Sequence, residues 1–284
     1  YEILIGLVGS EMCIRDSVNL DYILLNLTIA FINLDYIFNK TEAITLEQSK
    51  LTLSKDITVL SFSDSSMVDR NSSIIKVDSG WIVYSKNSES SILSFTSDGQ
   101  FSGYIGHRGN GPGEYTSVYD VVVNQKSKVL EVLSDGGIFC YTFGGDFLDK
   151  KEVTYPAFSF AIDDRQNYWF YVGNNTTYGD AKMICTDENI ANVAYYLHQK
   201  SNMLPMVENN FGRNGEWLTF HESLNHDLYT IENGKLDLSY AMDFPNYKLP
   251  KKLHELSGME VIEELQRSNY ASIINYLENH DYIF

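Results

Sequence analysis

The chain has 284 residues, and its 38 acidic side chains outnumber the 21 basic ones to give a formal charge of −17. Such a surplus repels phosphate backbones, and no Lys/Arg stripe offsets it locally, which argues against nucleic-acid binding. Apolar residues make up 44% of the sequence and aromatic ones 13%, enough for one large core, while three cysteines without CxxC or Cys/His spacing supply neither a disulfide framework nor a zinc site.

In chain order, the stretch Leu7-Val8-Gly9-Ser10-Glu11-Met12-Cys13-Ile14-Arg15-Asp16-Ser17 resembles the translated read-through of a sequencing adapter, so residues 1–17 are set aside. Residues 18–56 form a leader or linker. Within them, the apolar run Ile23–Ile32 has signal-peptide length but no basic n-region, small-residue cleavage site or lipidation cysteine, and it reads as an export signal, an amphipathic helix or a disordered leader. Membrane association, if any, is expected through this leader alone. Residues 40–55 are polar. Ile57–Phe62 then alternates as a strand does, and it is the candidate to complete the last blade of a closed ring.

From there to Lys235 a small pattern recurs: an aromatic residue or Cys, then Thr, then a turn. Its copies are Phe95-Thr96, Tyr141-Thr142, Cys185-Thr186 and Tyr229-Thr230, separated by 46, 44 and 44 residues. A period of about 45 residues is the mark of a β-propeller blade, a unit of about four strands that buries its faces by stacking on its neighbours. The following turn formers are Ser97-Asp98-Gly99, Gly144-Gly145, Glu188-Asn189 and Asn233-Gly234. Upstream of each lies a run suited to a pleated, half-buried surface: Trp81–Tyr84, Val129–Leu133, Tyr168–Val172 and Trp217–Phe220. Cys140 and Cys185 fall on strands of adjacent blades and are expected in the core.

After Pro245 and Pro250 the apolar period turns helical, predicting one or two helices within residues 251–279, and His280–Phe284 reads as the opening of another strand. The expected fold is therefore all-β, a partial propeller over residues 57–284 with a C-terminal helical insertion. An arc of this kind is expected to expose the apolar faces of its two terminal blades.

The densest motif, Gly103-Tyr104-Ile105-Gly106-His107-Arg108-Gly109-Asn110-Gly111-Pro112-Gly113-Glu114-Tyr115, lies between the first two repeats. With its Gly-x-Gly-Pro-Gly-Glu-Tyr string and preceding Ile-Gly-x-Arg element, the chain resembles bacterial six-bladed β-propeller envelope proteins, related in shape to NHL-repeat and TolB-like propellers. The resemblance implies about four blades of six, hence a fragment, and an exported or lipid-anchored setting in the cell envelope, periplasmic or associated with the outer membrane. Read physically, Gly106, Gly109, Gly111, Pro112 and Gly113 build a tight blade-to-blade crossing, Arg108 and Glu114 pair across it, and Tyr115 anchors it in the core. The functional alternative places His107, Arg108, Asn110, Glu114 and Tyr115 at the propeller mouth, contacting a polar ligand.

Other constellations point to structure. Asp163-Asp164 with Asn167 suits a turn better than a calcium site. His198, His221, His226 and His254 have no ligand or triad spacing, and no Gly-x-Ser-x-Gly elbow occurs. Tyr155, Phe158 and Phe160 are expected between blades, an exposed edge of the cluster being able to stack a sugar ring. The sequence thus favours a non-enzymatic envelope module, without cofactor or metal, that binds or scaffolds a glycan, peptide or protein. The alternative is a lyase or hydrolase acting on polysaccharide or peptide, with His107 as base, Arg108 as charge neutraliser and Tyr115 as acid.

Overall fold

The computed structural model describes residues 30–33, 58–61, 72–86, 90–173, 179–198, 209–215, 217–222, 224–256, 258–273 and 276. Four blades follow one another along the chain. The first contains β2 (Ser73–Val77), β3 (Gly80–Tyr84), β4 (Ile92–Thr96) and β5 (Phe101–Ile105). The crossing to the second carries two short strands, β6 (His107–Arg108) and β7 (Glu114–Tyr115), paired parallel. Blade two consists of β8 (Asp120–Asn124), β9 (Val129–Ser134), β10 (Gly137–Tyr141) and β11 (Phe147–Lys151). Blade three follows with β12 (Ser159–Ile162), β13 (Tyr168–Tyr171), β14 (Ala181–Thr186) and β15 (Ala194–His198). The fourth has β16 (Phe211–Asn214), β17 (Trp217–His221), β18 (Asp227–Glu232) and β19 (Lys235–Asp243), with β1 (Ala30–Asn33) added parallel to its outer edge. Each blade is an antiparallel meander in sequence order, and β8, β12 and β16 lie side by side. First strands therefore surround the axis and fourth strands lie outermost.

Stacking creates the core between consecutive blades. Ile82, Tyr84, Ile92, Tyr115, Val121, Val132 and Tyr141 fill the first interface, Ile138, Cys140, Phe160, Tyr168, Phe170 and Ile184 the second, and Trp169, Tyr171, Met183, Cys185, Leu218 and Phe220 the third. A fully buried side chain of this size contributes about 1.5–3 kcal/mol. Both cysteines are core residues, and burial pushes each thiol up to about 12. The rings of Phe160, Tyr168 and Phe170 stack with centroids 6.0–6.4 Å apart, and Tyr155 packs beside them.

The Thr-marked turns divide into two kinds. In the first two blades the Thr N–H donates to the carbonyl four residues on, and the Thr Oγ1 accepts that residue's N–H: Gln100 at 3.0 Å from Thr96, Asp146 at 3.1 Å from Thr142. In the third blade the same pattern is centred one residue later, on Asp187, whose carboxylate takes the place of the hydroxyl by accepting the Ala191 N–H at 3.0 Å. In the fourth, Thr230 lies inside β18 opposite Asp237, and the hairpin is a two-residue turn at Asn233-Gly234, with φ of +55° and +73°.

Residues 58–61 are not joined to the fourth blade: Ser61 bridges Gln100 at the turn of the first blade, and Leu60 packs beside Phe95; Ile57 and Phe62 lie outside the described residues. Three expectations are corrected. The strand added to the fourth blade is β1, formed by the end of the apolar run Ile23–Ile32, so residues 30–32 of that run are neither helical nor irregular. Among the described residues the helical region is shorter than its period suggested, with one 3-10 segment at Lys251–Glu255 and one helix, α1 (Met259–Arg267), after which residues 269–273 run without helix. Tyr270–Ile273 and Tyr276 are buried instead: Tyr270 packs with Leu224 and Leu253, while Ala271, Ile273 and Tyr276 pack with Leu228 and Phe244. That packing covers the outward face of the fourth blade, and Leu60 lies on the first, so these faces are not the bare apolar surfaces expected of an open arc. Residues 1–17, the remainder of the leader and linker, and His280–Phe284 lie outside the described residues.

Candidate functional site

The glycine-rich crossing is built around two buried groups. Tyr115 is 1% exposed, and its hydroxyl donates to the Ile105 carbonyl at 3.2 Å while accepting the Ile92 N–H at 3.2 Å. Burial raises its pKa. Glu114 folds back into its own loop, where Oε2 accepts the Gly111 N–H at 2.8 Å. A Cβ on Gly109 would stand 2.0 Å from the same oxygen, so the carboxylate occupies the space a side chain there would need. The Gly109 N–H donates to the Tyr115 carbonyl and the Glu114 N–H to the Gly111 carbonyl, both at 3.0 Å, which closes the loop on itself.

The loop is then pinned to the second blade. Tyr141 donates to the Gly113 carbonyl at 3.0 Å and its ring covers Gly106. Gly113 has φ of +72° and lies so close to Phe147 that a Cβ would come within 2.5 Å of the ring, so only glycine fits without displacement. Beyond the loop, Thr116, Ser117 and Tyr119 donate to the Asp135 carboxylate, at 2.8, 3.1 and 2.5 Å, and these bonds hold its pKa below the ordinary carboxylate value.

The five sequence-selected residues therefore separate into two groups. Glu114 and Tyr115 point inward and are spent on the loop's own structure. His107, Arg108 and Asn110 are exposed, with the Arg108 Nε donating to the Thr116 carbonyl at 2.8 Å and Pro112 exposed at the tip. The loop's hydrogen bonds and close glycine contacts to the second blade are with β10, β11 and their connecting turn, the outer half of the blade. His107, Arg108 and Tyr115 do not share a cleft, because the Tyr115 hydroxyl is enclosed and fully engaged.

A second polar region went unnoticed in the sequence. Near the axis, Lys86 of the first blade meets Asp120 of the second at 2.8 Å, and Asp120 also accepts the Phe160 N–H of the third at 3.1 Å. Ser159 of the third donates to Asn210 of the fourth at 2.8 Å. Between these last two blades, Lys182 and Glu222 form an ion pair at 3.1 Å with both side chains at most 5% exposed, and Tyr171 and Asn225 donate to the same carboxylate at 2.8 and 3.1 Å. A similar knot joins blades two and three, where Glu131 accepts from Tyr168 at 2.8 Å and Asn124 at 3.0 Å with Lys151 at 3.9 Å. Single Lys, Asp and Glu residues spaced about one blade apart leave no local motif, so only the three-dimensional arrangement reveals them.

Among the described residues no group of three or more His, Cys, Asp and Glu side chains is placed to hold a metal ion. Asp163 is satisfied by the backbone N–H groups of Arg165 and Asn167 and by the side chains of Asn167 and Trp169, as a turn residue should be. His198 pairs with Asp180 at the surface, and His226 donates to the Ala271 carbonyl at 3.0 Å.

This chain belongs to the family described as a domain of unknown function, DUF4934. The match extends over residues 30–284 and so begins at β1. No curated protein matches the chain in sequence. Among solved structures, it is similar to a protein described as exported, BF0058 of Bacteroides fragilis NCTC 9343, with a TM-score of 0.66 and 15% identity, over 78% of this chain and 65% of that one. The chain thus spans just under two thirds of that protein's length. It is also similar, with a TM-score of 0.45 and 10% identity, to a member of the DUF4221 family from Bacteroides vulgatus ATCC 8482, over 72% of this chain and 67% of that one. A streptogramin B lyase gives a TM-score of 0.43 at 17% identity, over 68% of this chain and 59% of that one. At such identities the likeness to BF0058 is one of fold.

Proposed function

We propose that the chain is a non-enzymatic binding module of the bacterial cell envelope, part of a six-bladed propeller of NHL or TolB-like shape, which recognises a glycan, peptide or protein through the rim of its glycine-rich crossing. The observation that carries the reading is the division of labour within the loop. Glu114 and Tyr115 are consumed internally and lock the frame, while His107, Arg108 and Asn110 are displayed on it. Polar side chains on a frame already ordered lose little freedom on binding, which favours recognition. Catalysis by His107, Arg108 and Tyr115 is disfavoured, since a general acid must reach the substrate. The exported description of BF0058 supports an extracytoplasmic setting.

The test compares the full chain with its His107→Ala/Arg108→Ala/Asn110→Ala variant on an array of neutral and anionic glycans and peptides. The proposal expects retained thermal stability and at least tenfold weaker capture of whatever the parent binds. Equal capture by both proteins contradicts the rim assignment, and new reducing ends or peptide fragments contradict the non-enzymatic reading.

A further inference from the structure

The outer edges of the blades differ in how they resist the addition of another strand. On β11 the charges of Asp149, Lys150 and Lys151 line the edge, and β15 is kinked at Leu197, with φ of +56°. β5 is short and carries Gly103 at its centre. These are ordinary devices against edge-to-edge pairing. β19 carries no charge, glycine or left-handed residue over Leu238-Ser239-Tyr240-Ala241-Met242, within a nine-residue strand, and its bulge against β18 falls at Ser239, just before the stretch from Tyr240 on which β1 lies. Pairing is parallel over four residues, Ala30 with Tyr240, Phe31 with Ala241, Ile32 with Met242 and Asn33 with Asp243, so segments about 210 residues apart are joined chiefly through backbone.

We infer that the β19 edge is a strand-acceptor site, which takes an extended peptide segment, uncharged opposite Tyr240–Met242, in parallel register and holds residues 30–33 as its internal occupant. Main-chain hydrogen bonds supply the affinity, and the ladder register sets the specificity. The flanking carboxylate of Asp243 stands opposite Asn33, so a peptide with Lys at that position is favoured, and one with Asp is disfavoured. Because the internal strand is tethered, it competes with an external one at high effective concentration. Strand capture is distinct from the loop-rim reading and does not depend on it.

The test uses the full chain and a fluorescein-labelled peptide reproducing residues 27–36. In the Ile32→Pro/Asn33→Pro chain, one of two adjacent amides that would face β19 is removed whatever the phase of the ladder. Fluorescence anisotropy is expected to show the peptide binding this variant at least tenfold more tightly than the parent, and the same peptide with Pro at both positions binding neither. Equal binding to parent and variant, or none to either, overturns the proposal. Should the variant fail to fold, the Phe31→Cys/Ala241→Cys chain decides: oxidation is expected to yield an intramolecular disulfide and to abolish the residual peptide binding seen when reduced. Failure to form that bond, or unchanged peptide binding once it forms, overturns the proposal as well.

Discussion

The joint between blades one and two and the joint between blades three and four solve one problem with different chemistry. The first is closed chiefly by backbone and aromatic packing, a glycine loop pressed on Tyr141 and Phe147 with Tyr115 inserted between the sheets, and its Lys86–Asp120 ion pair stands apart near the axis. At the second, the Lys182–Glu222 pair, dressed by Tyr171 and Asn225, is buried beside the aromatic packing of Trp169 and Phe220. A hydrophobic latch tolerates loss of one hydrogen bond, whereas a buried charge tolerates loss of its partner poorly. The contrast teaches that propeller blades of similar strand content can be joined with the ion pair either set near the axis, as Lys86–Asp120 is, or buried within the aromatic packing, as Lys182–Glu222 is.

The largest effect should therefore come from the charged joint. Lys182→Met leaves Glu222 buried without its counter-ion and is expected to cost about 3–5 kcal/mol in chemical denaturation, while Lys182→Met/Glu222→Leu recovers most of that loss. A double variant as unstable as the single one would show that the pair contributes more than mutual neutralisation. At the packed joint, Tyr115→Phe keeps the ring and removes the hydroxyl, stranding the Ile92 N–H, with an expected cost of about 1–3 kcal/mol by the same measurement. A cost equal to that of Lys182→Met would erase the contrast.

How much of this was legible follows from where the chemistry lies in the chain. Blade length, the second-strand runs and the crossing were readable because glycine, aromatic and turn residues act locally. Thr96 and Thr142 mark equivalent turns, but the third turn moves to Asp187 because a carboxylate makes the same bond, and the fourth is replaced by Asn233-Gly234, which needs no hydroxyl. Composition alone cannot reveal such substitutions of one acceptor for another. The loop displays His107 and Arg108 at its start and turns Glu114 and Tyr115 inward at its end, with no sequence sign of which is which, so Glu114 and Tyr115 group with the exposed His107 by sequence alone. Lys86, Asp120, Lys182 and Glu222 find their partners on other blades, and the helical period after Pro250 overran α1 because Ala271 and Ile273 are buried by the fourth blade rather than by a helix face.

The smallest expected effect lies where the C-terminal segment docks on the fourth blade. Burial holds the His226 pKa below its ordinary 6.5, against the opposing influence of its bond to the Ala271 carbonyl and the charges of Asp227 and Asp243. The folded state thus binds fewer protons than the unfolded one, so this contribution is complete above 6.5 and is lost as pH falls from there through the lowered folded value. Asp227 acts in the opposite sense, because burial raises its pKa above 3.8 and stability is gained as pH falls through the raised value. His226→Gln preserves the donor to Ala271 while removing the titration, so the drop in Tm between pH 7.5 and 5.5 should be smaller than in the parent. An unchanged drop would assign the pH response elsewhere.

The central claim is that the glycine crossing is a locked frame carrying displayed polar side chains, and amide hydrogen exchange on the full chain tests it most directly. The Gly109, Gly111 and Glu114 amides, bonded to the Tyr115 carbonyl, the Glu114 carboxylate and the Gly111 carbonyl, should exchange nearly as slowly as those of β9 and β10. Exchange at the rate of an open surface loop would contradict the account.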